Sequence, residues 1–465
     1  MSNARPMRLV IDGQALQTAS SRNRGIGRQA LALAQAMVRN RGRHEVLLAL
    51  SSFEPETIEP VRAAFDGLLP EHAIRVWYAK GTMPRRKPKT GERSDAATII
   101  YEAFLAGLSP DLVHMPSLFE GSGLDAVTSI GRFTRLYGTV VTLHDLIPLL
   151  DPDRYLTDPA HRAWYLRKLE DLHRAEAMLA ISESTRREAI QHLGCPAEKV
   201  MTISSGVDHR FRRIERDEKT VRDLLARHRI ARPFVMYTGG GDHRKNIAGL
   251  IRGFAGLPEA LRRAHQLAIV CHLAPRELQP LARQAAELGL DPDEVVFTGY
   301  VPDDDLIGLY NACVLFVFPS LHEGFGLPVL EAMGCGAPVI GADRTSLPEA
   351  IGRADALFNP DDDASLVALM QHVLTDTGFQ ADLAAYGEAR ARQFTWDACA
   401  ERAWRALEQV QATRTRQTAD NATLVSQAVA AIAALDPLHV RQTHKTLARA
   451  LAHNHPDGAG SERTL

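Results

Sequence analysis

Two successive series of short apolar runs, each run followed by an amphipathic stretch, constrain this 465-residue chain more than any other feature. The first series reads MRLVIDGQ, HEVLLAL, AIRVWYA, DLVHMP, TVVTLHD, MLAISES and KVMTISSG. The second reads RPFVMYTGG, HQLAIVCH, DEVVFTGY, CVLFVFPS, APVIGA and DALFNP. Strands buried on both faces carry continuous apolar residues, so runs like these between helical patterns indicate parallel sheets covered by helices. The pattern restarts after the polar, basic stretch GVDHRFRRIERDEKTVRDLLARH, residues 206–228, which reads as a linker and a leading helix. The expected fold class is therefore α/β, with two doubly wound, Rossmann-like domains facing a central cleft and a helical C-terminal tail. Ligands of such sheets bind at the carboxyl ends of the strands.

A chain of this length is too large for one ordinary core, which agrees with two domains. With 45% hydrophobic and 24% charged residues, the composition is that of a globular protein. The formal charge of -2 gives no reason to expect nucleic acid, so any anion site must be local. Five cysteines without a CxxC pair read as reduced structural thiols. The start MSNARPMRLVIDGQ enters a strand within its first residues, and no run has the length of a membrane span. A cytoplasmic protein is expected.

The stretch SLHEGFGLPVLEAMGCGAPVI, residues 320–340, concentrates the chemistry. It follows a buried strand, turns at Gly324 and Gly326, and opens a helix near Gly326 or Leu327. The free N–H groups of that helix start can cradle a phosphate. Glu331, one turn in, can accept hydrogen bonds from a ribose diol, and Glu323 sits on the loop ahead of it. In YTGGGDHRKNIAGLI, Arg244 and Lys245 follow a strand and a glycine run, where paired cations can neutralise a diphosphate. Nearer the N-terminus, Gly25 and Gly27 lie in a strand–loop–helix unit that resembles a phosphate loop without the full GxGxxG spacing. TVVTLHDLIPLL places His144 and Asp145 at a strand end, where a lone histidine is more often structural than catalytic. Two Asp-x-Asp pairs, Asp151 with Asp153 and Asp291 with Asp293, each span a proline and read as turn or capping residues. His and Cys are not clustered. No metal and no other cofactor is expected.

Taken together, RGIGR, LHDLIP, AISESTRREAI, SSGVD, GGGDHRKN, GYVPDDDL and the E-x7-E pair in EGFGLPVLE resemble, in order, a retaining nucleotide-sugar glycosyltransferase of family 4 with the GT-B fold. The match runs from residue 7 to 411. GQALQTASSRNRGIGRQALALAQAMVRNR and SLFEGSGLDAVTSIG further resemble a bacterial branch that builds O-antigen and related lipopolysaccharide chains, often from GDP-mannose or another GDP-sugar. The resemblance implies an N-terminal acceptor domain (1–212), a donor domain (213–395), a helix crossing back (396–412) and a tail or linker (413–465). It implies that Glu331 holds the ribose, and Arg244 and Lys245 the diphosphate. The Phe325, Gly326 and Leu327 backbone would meet phosphate and sugar oxygens. Glu323 would stand beside the donor sugar, His144, with Asp145 next to it, would contact a sugar hydroxyl, and Gly25 and Gly27 would close over the diphosphate. Many relatives carry the phosphate-binding Arg just after the strand glycine, whereas here the duty falls to Arg244. The implied partners are a nucleotide-sugar donor, an oligosaccharide or lipid-linked glycan acceptor, the inner membrane face, and further transferase modules. The alternative is a non-catalytic nucleotide-sugar or glycan-binding subunit of a polysaccharide assembly complex.

Two stretches fall outside the pattern. Residues 79–97, AKGTMPRRKPKTGERSDAA, are expected to form a mobile basic surface loop, which either steers an acceptor or a membrane surface or is an idle solvated loop. Beyond residue 412 the pattern is helical and carries no proposed site residue, so truncation there is expected to leave a folded protein.

Overall fold

In a computed structural model the chain is described over residues 5–78, 92–122, 125–415 and 420–435. The described residues form two parallel sheets. The first holds β1 (Arg8–Asp12), β2 (Glu45–Ser51), β3 (Ile74–Trp77), β4 (Leu112–Met115), β5 (Gly138–Leu143), β6 (Ala177–Ala180) and β7 (Val200–Thr202) in the order β3-β2-β1-β4-β5-β6-β7. The second holds β8 (Phe234–Thr238), β9 (Gln266–Val270), β10 (Val295–Phe297), β11 (Leu315–Phe318), β12 (Val339–Ala342) and β13 (Leu357–Phe358) in the order β10-β9-β8-β11-β12-β13. Every apolar run of the sequence reading is a strand; the central ones, such as Leu112–Met115, Gly138–Leu143 and Phe234–Thr238, are buried throughout, whereas the edge strands Ile74–Trp77 and Val200–Thr202 are partly exposed. In register, Leu9 faces Val46 on one side of β1 and Leu112 on the other. The chain order reverses between β1 and β4 in one sheet and between β8 and β11 in the other, which opens a crevice at each carboxyl edge.

The chain divides into two compact units. One comprises residues 1–181, 186–203 and 397–465; the other, 182–185 and 204–396. The leading helix of the second is Glu218–Arg227, begun by Asp217, whose carboxylate accepts the Thr220 N–H at 2.9 Å. From Asp397 onward, the Trp396–Thr413 helix belongs to the first unit. There Trp404 donates from Nε1 to the Met37 carbonyl at 3.0 Å and stacks on His44, with centroids 4.7 Å apart.

The polar stretch 79–97 needs a correction. Residues 79–91 lie outside the described residues, but from Glu92 the chain is already in the Glu92–Gly107 helix. The apolar period that begins at Ala96 props up a polar first turn, which composition alone reads as loop. Ala97, Ile100, Tyr101, Ala103, Phe104 and Leu105 of this helix are all buried. A helix apolar on every side needs cover on every side. The Asn421–Leu435 helix packs against it and buries Leu424, Ala428 and Ile432, spaced four residues apart. Truncation after residue 412 would uncover that face, so a loss of stability is expected in place of an undisturbed fold. All five cysteines are buried free thiols. Among the described residues no helix is long and apolar enough to cross a membrane.

Candidate functional site

In the second unit the loops after β8 and β11 leave adjacent strands at the point where the strand order reverses. After β8 the chain makes a single turn, His243–Lys245, pinned by Asp242, whose carboxylate accepts the Arg244 N–H at 3.1 Å. Asn246 ends the turn in left-handed backbone, φ 52°, and its side chain accepts the Gly249 N–H to start the Ile247–Ala255 helix. After β11 the loop runs to Gly326, whose φ of 100° caps the Leu327–Gly334 helix. A Cβ at Gly326 would fall 2.7 Å from Leu347 Cδ2, so glycine is required twice over.

The two loops meet at Glu323. Its Oε1 lies 2.6 Å from Lys245 Nζ and its Oε2 3.1 Å from Arg244 Nη1. Arg244 Nη1 also donates to the His322 carbonyl at 2.9 Å, and the Leu321 N–H donates to the Arg244 carbonyl at 2.7 Å. Lys245 Nζ stands 5.5 Å from the centroid of the Phe318 ring. The Glu323 side chain is 8% exposed. Burial pushes its carboxyl up, but Lys245 and Arg244 together outweigh burial and hold it below the usual carboxylate range. Asp242, 3.5 Å from Arg244 Nε, and Glu323 together hold the two cations in a fixed geometry, so that an incoming anion meets guanidinium and ammonium donors already in place.

Glu331 lies one turn into the Leu327–Gly334 helix, where the fully buried Tyr310 donates from its hydroxyl to Oε2 at 3.0 Å. Phe325 is buried edge-on to Phe394, with centroids 5.7 Å apart, so the backbone of Phe325, Gly326 and Leu327 is anchored just ahead of that helix. Arg244, Lys245 and Glu323 are thus in direct contact. Sequence reasoning missed Tyr310, because a hydroxyl aimed across 21 residues leaves no local pattern.

In the first unit the corresponding crevice lies between the loops after β1 and β4. Gly25 opens the Gly25–Arg39 helix, with open space where a side chain would stand. Gly27 is packed instead: its Cβ would fall 2.2 Å from the Ser21 carbonyl, to which its N–H donates. Ser21 and Thr18 both donate from their hydroxyls to buried Glu120, each at 2.7 Å, tying the two loops together. His144 follows β5 directly. Its Nε2 donates to the Pro116 carbonyl at 2.8 Å, and its Nδ1 lies 3.2 Å from the Gln29 side-chain amide, which joins it to the helix that Gly25 and Gly27 begin. Burial lowers its pKa against the opposing pull of that carbonyl, Asp145 and Glu120. Asp145 accepts the Ile147 N–H at 3.1 Å and so shapes its own turn.

The same edge holds a second buried carboxyl that sequence reasoning passed over. Asp12, at the end of β1, accepts from Tyr101 at 2.8 Å and from the Gln14 N–H at 3.0 Å. Burial, outweighing these bonds, raises its pKa to about 6. Between the ordinary Asp range and about 6 the folded chain keeps a proton that the unfolded chain has lost. Its contribution to stability is therefore full below the ordinary range and is lost as pH rises through about 6. Thermal denaturation from pH 4 to 7 should show this decline in the wild type and a flatter profile in Asp12→Asn, which cannot ionise.

Known proteins similar to this chain agree on its kind. Residues 23–211 match the family described as Glycosyltransferase Family 4, and residues 226–390 match Glycosyl transferases group 1. The chain is 38% identical over 391 residues to the serotype-specific mannosyltransferase WbdA of Escherichia coli, covering 84% of this chain and 46% of that protein. It thus spans about half the length of that relative. It is 33% identical over 268 residues to the O-antigen chain mannosyltransferase B of Escherichia coli, covering 57% of this chain and 68% of the other. Among solved structures, Anabaena Alr3699/HepE in complex with UDP and glucose superposes with a TM-score of 0.63 at 20% identity, over 87% of this chain and 100% of that one. That likeness shows the fold, GT-B with two Rossmann-like units.

Proposed function

This chain belongs to the glycosyltransferases, and on that premise we propose that it moves mannose from GDP-mannose to a glycan acceptor during O-antigen synthesis, with retention of configuration. The observation that carries the reading is the contact of Arg244 and Lys245 with Glu323 where the strand order reverses. A diphosphate leaves readily once its charge is neutralised, so the main catalytic task is electrostatic. Arg244, Lys245 and the start of the Leu327–Gly334 helix supply that neutralisation. Glu331 accepts from the ribose diol, oriented by Tyr310. Glu323 sets the two cations and shares the charge of the oxocarbenium-like sugar with the departing phosphate. The leaving phosphate takes the proton of the acceptor hydroxyl, so no separate nucleophile is needed; in the first unit, His144 contacts a sugar hydroxyl. The mannose assignment follows the names of the curated relatives. Their greater length supports further modules in the working protein, and a lipid-linked acceptor would bring the chain to the inner membrane face.

The test is a thermal-shift panel of GDP-, UDP- and ADP-sugars. A ligand at about 100 times its Kd stabilises by about 2.7 kcal/mol, and GDP-mannose should give the largest rise. A larger rise with UDP-glucose would reassign the donor. Because the neutralising charges are side chains, turnover should persist in EDTA, and activity lost on chelation and restored by Mg²⁺ would overturn that point. Glu331→Ala should raise the donor KM with kcat little changed, at a cost of about 1–3 kcal/mol, and Tyr310→Phe should do the same more weakly. Steady-state kinetics check both, and an unchanged KM in Glu331→Ala removes that residue from the site.

A further inference from the structure

Five residues other than glycine have positive φ among the described residues: Ser109, Ser204, Arg229, Asn246 and Thr345. Thr345, at φ 48°, is the β-branched one, and for a β-branched side chain this backbone is a true outlier. Such a residue persists where its surroundings over-determine it. Here they do. Thr345 Oγ1 accepts the Glu323 N–H at 3.0 Å, and the next residue, fully buried Ser346, donates from its hydroxyl to the Glu323 carbonyl at 3.0 Å. Two consecutive hydroxyls therefore hold the peptide groups on both sides of the residue that grips Arg244 and Lys245. Their own segment has a firm base: the Asp343 N–H donates to the Phe358 carbonyl at 2.8 Å, and Arg344 pairs with Asp361.

We propose that Thr345 is a positioning residue for sugar transfer, whose unfavourable backbone aims its hydroxyl at the Glu323 amide and so sets the Glu323 carboxylate between Arg244 and Lys245. The inference rests on the transferase reading above. A residue kept merely to tie two loops together would take an unstrained conformation, or would stabilise the fold by being there. Thr345 keeps a strained φ, and its bond goes to the one backbone amide whose side chain organises the cations.

Glycine at this position relieves the strain and removes the hydroxyl. In Thr345→Gly the melting temperature should stay the same or rise, while kcat for transfer falls about tenfold to a hundredfold with the donor KM little changed, as small misplacements in a site do. Thr345→Ser keeps the hydroxyl on a less crowded side chain and should hold kcat within about twofold of wild type. In a Glu323→Gln background, Thr345→Gly should add no further loss of kcat, since both act through one carboxylate. Wild-type kcat in Thr345→Gly, equal losses in the Gly and Ser variants, or a loss accompanied by a lowered melting temperature would each overturn the proposal. Absence of turnover in the wild type with every donor would instead overturn the transferase reading, and this inference with it.

Discussion

Replacing Glu323 with glutamine is expected to lower kcat about 10²–10³-fold, the effect usual for loss of one preorganised electrostatic group at a site of charge development. Glutamine keeps the shape but removes the charge that faces Lys245 Nζ at 2.6 Å and Arg244 Nη1 at 3.1 Å. Without it Lys245 loses its carboxylate partner, and Arg244 is left with the His322 carbonyl and Asp242 alone. The fold should survive, because one weakened buried contact costs about 1–3 kcal/mol against a total of roughly 5–15. The donor KM should change little, since ribose recognition is assigned to Glu331. Because the wild-type carboxyl is held below its usual range, its ionised form persists to acid pH, and kcat should show no limb from Glu323 above the ordinary carboxylate range. Steady-state kinetics with a circular-dichroism check of folding decide the matter; wild-type kcat in a folded Glu323→Gln protein removes Glu323 from the mechanism.

Truncation after residue 412 is expected to have the largest effect on stability. It removes Leu424, Ala428 and Ile432 from the face of the Glu92–Gly107 helix that they cover. Burial of a Leu or Ile side chain is worth about 1.5–3 kcal/mol, and the uncovered face loses a similar amount, so the sum approaches the whole stability of a domain. The truncated chain should be found largely in the insoluble fraction. Leu424→Ala, a milder change, should cost about 2–5 kcal/mol in chemical denaturation. A truncated protein that stays in solution with the wild-type melting temperature would show that the Asn421–Leu435 helix is dispensable cover.

The strands were legible because burial on both faces writes a continuous apolar run into the sequence, as in LFVF and QLAIV. The site was legible in pieces. EGFGLPVLE and GGGDHRKN each signal an anion-binding turn, but their meeting depends on β8 and β11 being neighbours across 78 residues from Lys245 to Glu323, which no local pattern states. The supporting hydroxyls of Tyr310 and Thr345 were invisible for the same reason, since a hydroxyl's partner is set by the fold. Residues 92–97 misled because a helix's first turn can be as polar as a loop. The tail showed its helical pattern but not its seat, because the need for cover belongs to a different helix more than 300 residues earlier.

In the function proposed above, one site, with Arg244 and Lys245 set by Glu323, releases the nucleoside diphosphate from mannose and passes the sugar on with retention. The most direct test is ¹H NMR of the reaction of GDP-mannose with a mannoside acceptor, in EDTA, followed through the anomeric signals. GDP release should be matched by a new α-linked mannoside, since the sugar of the donor is α-linked and retention keeps its configuration. A β-linked product, or no product from GDP-mannose while another nucleotide sugar is consumed, would contradict it.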